Sequence, residues 1–98
     1  METSDHFDEV SKRSDRISIK DEWVGAARDD PACKEFQENG RVKHWSFVPE
    51  AGRWLRVVLL EDRETVHTKF WDRAFPEKLR AFEEGKEWRM VRYRQHED

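Results

Sequence analysis

The Asn39-Gly40 dipeptide, a break at Pro49-Glu50-Ala51-Gly52 and another at Asp62-Arg63 cut the middle of the chain into three runs of strand length, 41–48, 53–61 and 64–71. Asn-Gly favours a two-residue hairpin turn because both residues tolerate positive φ. The runs between the breaks are rich in Val, Leu, Phe and Trp, residues that suit a pleated, half-buried surface. Strands joined by loops this short run antiparallel, so the centre of the chain is expected to be a β-meander.

Loop lengths then set the register. The Asn39-Gly40 turn would pair Glu38 with Arg41, Phe36 with Lys43 and Lys34 with Trp45. A two-residue loop at Asp62-Arg63 would pair Leu59 with Val66, Val57 with Thr68 and Leu55 with Phe70. These pairs are mostly apolar, so their face is expected to be the core, with Leu55, Val57, Val66 and Phe70 buried. The opposite face would pair Leu60 with Thr65, Val58 with His67, Arg56 with Lys69 and Trp54 with Trp71. Bringing Trp45 beside Val57 and Phe47 beside Leu55 in the same core requires a three-residue loop, Glu50-Ala51-Gly52, with Gly52 left-handed.

Helical signals flank the meander. Ser4 is placed to cap a short helix carrying Phe7 and Val10. Ser18 followed by Asp21 resembles a capping box, and Ile19, Trp23 and Ala26/Ala27 recur at helical spacing until Pro31. Phe75, Leu79 and Phe82 share one face of a third helix, with Pro76 in its first turn and Gly85 at its end. Residues 86–94, around Trp88, Met90, Val91 and Tyr93, suit an edge strand or an ordered tail. Residues 1–16 and 95–98 are expected to be the least ordered.

The expected class is therefore α+β: a short N-terminal helix or helices on an antiparallel meander of about four strands, then a C-terminal helix. Its 98 residues suit one domain. Only 36% of residues are hydrophobic and 42% are charged, but five Trp and six Phe supply large buried areas, which places the chain among folded proteins. One cysteine, Cys33, allows no intrachain disulfide or cysteine zinc site. The first residues do not read as a signal peptide, and no apolar run has transmembrane length. Cytoplasm is the expected location. Residues 1–40 carry eleven acids and six bases, and residues 41–98 carry eleven acids and thirteen bases. A basic face is thus confined to the second half, and nonspecific duplex-DNA binding is not expected.

On the expected register, the exposed face carries three rows: Val48–Trp54–Trp71, Ser46–Arg56–Lys69 and His44–Val58–His67. Aromatics stack on bases, cations hold phosphates, and imidazoles exchange protons near neutral pH. The same residues have a structural reading, in which Arg56 and Lys69 pair with Glu77 or Glu83 and the two indoles pack beneath the C-terminal helix. His44 and His67 lack a third ligand for a metal, and Cys33 lacks a histidine to activate it. His6 and His96 have no evident role. Arg89, Arg92 and Arg94 around Tyr93 form a basic cluster.

The stretch from Ile17 to Phe75 resembles a family of small bacterial domains allied to the BrnT-like and RelE/ParE-like toxins. The resemblance rests on a helix from Trp23-Val24 to Pro31, a turn opening Gly40-Arg41-Val42-Lys43-His44-Trp45, then Leu55-Arg56-Val57-Val58, Thr65-Val66-His67 and Asp72-Arg73. It implies helices packed on an antiparallel sheet. It also implies a metal-independent endoribonuclease, acting on free or ribosome-bound RNA and neutralised by a small antitoxin protein. The matching positions are Arg56, His67, Lys69 and Arg73, with Arg92 and Tyr93 in the tail.

In that mechanism a ribose 2′-hydroxyl attacks its own phosphate. His67 or His44 is the general base, and the second His or Tyr93 the acid. Arg56 and Lys69 steady the developing charge, while Trp54 and Trp71 stack the flanking bases. No cofactor is called for. The alternative expectation is a noncatalytic protein-interaction domain on the same fold, using the Trp-bearing face.

Overall fold

The structure is a computed structural model and describes residues 1–13, 16–86 and 90–92. The fold is α+β. In chain order it runs α1 (Asp5–Ser11), α2 (Asp21–Asp29), β1 (Cys33–Phe36), β2 (Val42–Val48), β3 (Arg53–Leu59), β4 (Val66–Trp71), α3 (Phe75–Glu83) and β5 (Met90–Arg92). Among the described residues, five strands form one sheet in the order β4-β3-β2-β1-β5, every neighbouring pair antiparallel. The tail segment at 90–92 is thus an edge strand on β1. No helix among the described residues is long and apolar enough to cross a membrane.

The sheet is covered on both faces. Phe7, Ile19, Val24 and Ala27 from the N-terminal helical layer pack with Leu55, Val57, Leu59 and Val66. On the other face Trp45, Cys33 and Met90 are buried with Phe75 of α3, and Leu79 and Phe82 pack against them. Ser4 caps α1 by accepting from the Phe7 amide. α2 begins at Asp21, after Lys20, with no side-chain cap. The capping box expected at Ser18 does not form, because the helix starts two residues later, after Lys20; the Ser18 hydroxyl accepts from the Trp71 indole, 3.4 Å away.

Loop geometry corrects the expected register three times. At the first hairpin the closing pair is Gln37 and Arg41, with Gly40 at φ +90° and Phe36 opposite Val42. This is a three-residue loop ending in a left-handed glycine. Asn39 serves it through its side chain, which accepts from the Arg41 amide. At the second hairpin the carbonyl of Val48 accepts from Ala51 and Gly52, and Val48 lies opposite Arg53, so the loop holds four residues, not three. The extra residue turns β2 over. Trp45 lies opposite Arg56 and is buried in the α3 layer, while His44 lies opposite Val57. Phe47, expected in the core, is exposed, as is Phe36.

The third correction is a bulge. Leu60–Thr65 and Leu59–Val66 pair as expected, but the next pair is Val58 with Thr68, so His67 is an extra residue in β4. Beyond it every side chain changes face. Lys69 faces Val57, Trp71 faces Leu55, and Arg56 faces Phe70. Without the bulge Arg56 and Lys69 would be cross-strand neighbours, a destabilising like-charge pair. With it, the Arg56 guanidinium lies 4.0 Å from the Phe70 ring centroid, and Lys69 is carried to the opposite face. The N-terminal segment braces this edge: Val66 donates to Glu2 and accepts from Ser4.

Candidate functional site

The bulge and the four-residue loop scatter the expected catalytic group. His44 is 4% exposed, and its Nδ1–H donates to the Ala27 carbonyl at 3.1 Å. Burial pushes its pKa below the ordinary histidine value, which the Ala27 bond only partly offsets. It is a core histidine under α2. Lys69 is also 4% exposed, with Nζ donating to the Ile19 carbonyl at 3.0 Å. Burial lowers its pKa, with Asp21 opposing. Arg56 stands on the other face, so Arg56 and Lys69 cannot attend one phosphate. Neither Glu77 nor Glu83 answers these cations: Arg56 has Asp72 at 3.8 Å, and Lys69 has a main-chain carbonyl.

His67 remains at the surface and gains a partner that its sequence context did not suggest. The His6 ring stacks on it, centroids 4.4 Å apart and planes 21° from parallel. Ser4 Oγ lies 3.1 Å from His67 Nδ1. That hydroxyl accepts from the Phe7 amide and lies 3.5 Å from the His67 carbonyl, to which it donates. Burial first, then the charges of Arg41 and His6, lower the His67 pKa, with Glu61 opposing. The signal for His6 lay in the Ser4 cap, which puts residue 6 in the first turn of α1. The docking of α1 on β4 lies 61 positions further on and leaves no local mark.

The two indoles meet at the other end of β3 and β4. Trp54 lies on the α3 face and Trp71 on the α2 face, and between them opens a cleft of about 240 Å³. Arg53, Asp72, Arg73 and Pro76 complete its lining. Each wall is braced by its neighbours. Trp71 rests on Trp23 at 5.9 Å, and the Arg53 guanidinium lies 5.4 Å over its ring. Trp54 rests on Phe75 at 4.7 Å and meets the edge of Phe47 at 5.5 Å. Thus Trp54 is docked by α3, while Trp71 leans on α2. At the base, Asp72 accepts from the buried Trp45 indole at 2.8 Å and from the Ala74 amide at 3.1 Å. The cleft combines two half-buried π faces with two exposed guanidinia, a donor set for a flat ring that carries negative charge nearby.

A second depression of about 410 Å³ lies over Glu35. Lys43 at 3.4 Å and Lys78 at 3.3 Å already balance that carboxylate, which gives it a structural role. Among the described residues no group of three or more His, Cys, Asp or Glu is placed to hold a metal ion. Arg92 lies in β5 opposite Cys33, on the far side of the sheet from β4. Tyr93, Arg89 and Arg94 lie outside the described residues. Compared with known proteins, the chain matches no family model, no curated protein and no solved structure.

Proposed function

We propose that this protein binds single-stranded RNA, taking one unpaired base into the Trp54–Trp71 cleft and the adjoining phosphates against Arg53 and Arg73. The observation that carries this reading is the meeting of two braced indoles and two exposed guanidinia in one cleft. At about 240 Å³ it falls below the roughly 300–1,000 Å³ of drug-sized ligand sites, a space for one ring system. Stacking on aromatics tolerates any base, so single strands would be preferred to duplex with modest sequence choice. A cytoplasmic location belongs to the same proposal. The test is quenching of indole fluorescence by a short single-stranded RNA and by its duplex, in the wild type and Trp71→Ala. Saturable quenching by the single strand, lost in the variant, supports the reading. Equal responses from single strand and duplex, or an unchanged Trp71→Ala, remove it and leave the cleft as a protein-interaction surface.

The toxin-type endoribonuclease is a second reading, favoured by the stacked His6–His67 pair. An imidazole with a lowered pKa is neutral at pH 7 and able to take a proton. Arg41, whose charge His67 feels, takes the electrostatic place first given to Arg56 and Lys69. Induced expression of the wild type beside His67→Ala, with growth and total RNA followed, decides it. Absence of toxicity and of cleavage, on free RNA and on translating ribosomes alike, removes this reading. A small antitoxin partner is proposed only together with it.

A further inference from the structure

The aromatic row at this end of the sheet does not stop at the cleft. Phe47 of β2 lies directly opposite Trp54 of β3, and their rings meet edge to face at 5.5 Å. Trp71, across the cleft from Trp54, stands on β4, the other neighbour of β3. In sheet order the three rings therefore run Phe47, Trp54, Trp71. Alternate residues of a strand share a face, so Phe47 points to the α3 side with Trp45. The two differ in cover. Trp45 is fully buried and stacks on Phe75 of α3 at 4.7 Å, whereas Phe47 stays 46% exposed. A phenyl ring left that open adds little to the core, yet it offers a π surface beside one wall of the cleft.

We propose that Phe47 is a second stacking platform, so that the site takes a dinucleotide step: one base between Trp54 and Trp71, the adjacent base on Phe47. This rests on the reading of the cleft as a base site and extends that site in length. Base stacking asks for an exposed π surface and tolerates any base, and aromatics on neighbouring strands are how sheet surfaces seat successive unpaired bases. Strands of a sheet lie about 4.8 Å apart, so rings on three successive strands mark a continuous path across the sheet end. Trp54 fixes the spacing along it. Its contacts with Phe47 on one side and Phe75 beneath hold the wall and the platform in one relation. A single nucleotide would fill the cleft alone, and a second would add the Phe47 stack.

The experiment titrates the full chain by NMR with adenosine 5′-monophosphate and with the 5′-phosphorylated adenosine dinucleotide. The Trp54 indole N–H reports the cleft, and the Phe47 ring protons report the platform. The wild type should bind the dinucleotide about 5- to 150-fold more tightly than the monophosphate, the worth of one more stacked base. Phe47 ring protons should shift with the dinucleotide and not with the monophosphate. Phe47→Ala should remove the gain and leave monophosphate affinity unchanged, while Trp71→Ala weakens both ligands. Phe47→Trp should keep the gain. Phe47→Leu, apolar but without a π face, should lose it, and it carries the test if Phe47→Ala fails to fold. Full dinucleotide affinity in Phe47→Ala and Phe47→Leu, with both ligands weakened in Trp71→Ala, overturns the second platform and leaves the cleft as a base site. Failure of the wild type to bind either ligand overturns both. Self-association of the wild type that Phe47→Ala abolishes, with the dinucleotide gain intact, makes Phe47 a contact between copies and also overturns the proposal.

Discussion

The ammonium of Lys69 donates to the main-chain carbonyl of Ile19 inside the helix-covered face of the sheet, opposite Val57. Burial places its folded pKa below the unfolded value. Between those two values the unfolded chain holds more protons, so stability rises with pH. The wild type should therefore gain stability as pH climbs toward about 10.4, the unperturbed lysine value. Lys69→Met should lack that increment. Urea denaturation from pH 8 to 10.5 reads it, and parallel curves for the two proteins would show that Lys69 is solvated.

His44 gives the same sign in a different window. Its folded pKa is lowered by burial, so its contribution is complete above about pH 6.5 and is lost as pH falls toward the folded value. His67 is shifted in the same direction and adds to the slope. His44→Gln should flatten the fall in stability between pH 7 and 5 in part, and His44→Gln/His67→Gln further. An unchanged slope in the double variant would place the acid sensitivity elsewhere.

Asp72 joins the two packed layers at the end of β4. Replacing it with Asn keeps one acceptor oxygen and leaves either the Trp45 indole or the Ala74 amide without its partner. Arg56 loses its carboxylate as well. Asp72→Asn should cost about 1–3 kcal/mol, the penalty for an orphaned buried donor. A cost below about 0.5 kcal/mol would mean that water replaces the lost bond.

The strands, the helix at Phe75 and the Ser4 cap were legible because each depends on residues within a few positions of one another. The faces were not. The expected register assumed one apolar layer and therefore drew Trp45 and Phe47 toward Leu55 and Val57. The sheet has helices on both faces, so a buried tryptophan does not tell which side it points to. Leu55→Ala against Phe47→Ala separates the two registers. Leu55 is fully buried, and its truncation should cost about 2–5 kcal/mol by lost burial and cavity. Phe47, 46% exposed, should cost clearly less. Equal losses would restore Phe47 to a core.

The site divided along the same line. Trp54 and Trp71 were legible as neighbours because they lie at strand ends, where a one-residue change of face still leaves them at the same edge. Arg56, Lys69, His44 and His67 were expected together only through a register that the four-residue loop after β2 and the bulge at His67 break. The bulge carries no glycine. It answers a clash of two cations in β3 and β4 and is braced by residues 2–4, both long-range facts.

The cleft makes a forecast about salt that separates stacking from charge. With Arg53 and Arg73 as the two phosphate contacts, log K against log salt should have a slope of about −1.4 for single strands. A strongly basic surface would give several times that. Trp71→Ala should weaken binding by about 5- to 150-fold, the equivalent of one lost base stack, about 1–3 kcal/mol. That variant should leave the slope unchanged, because an indole neutralises no phosphate. Arg73→Gln should act the other way, with a smaller loss at high salt and a slope reduced by about 0.7. Titrations of one short RNA at four salt concentrations, for the wild type and both variants, supply every term. If Trp71→Ala changes the slope while Arg73→Gln does not, the cleft is not where the strand lies.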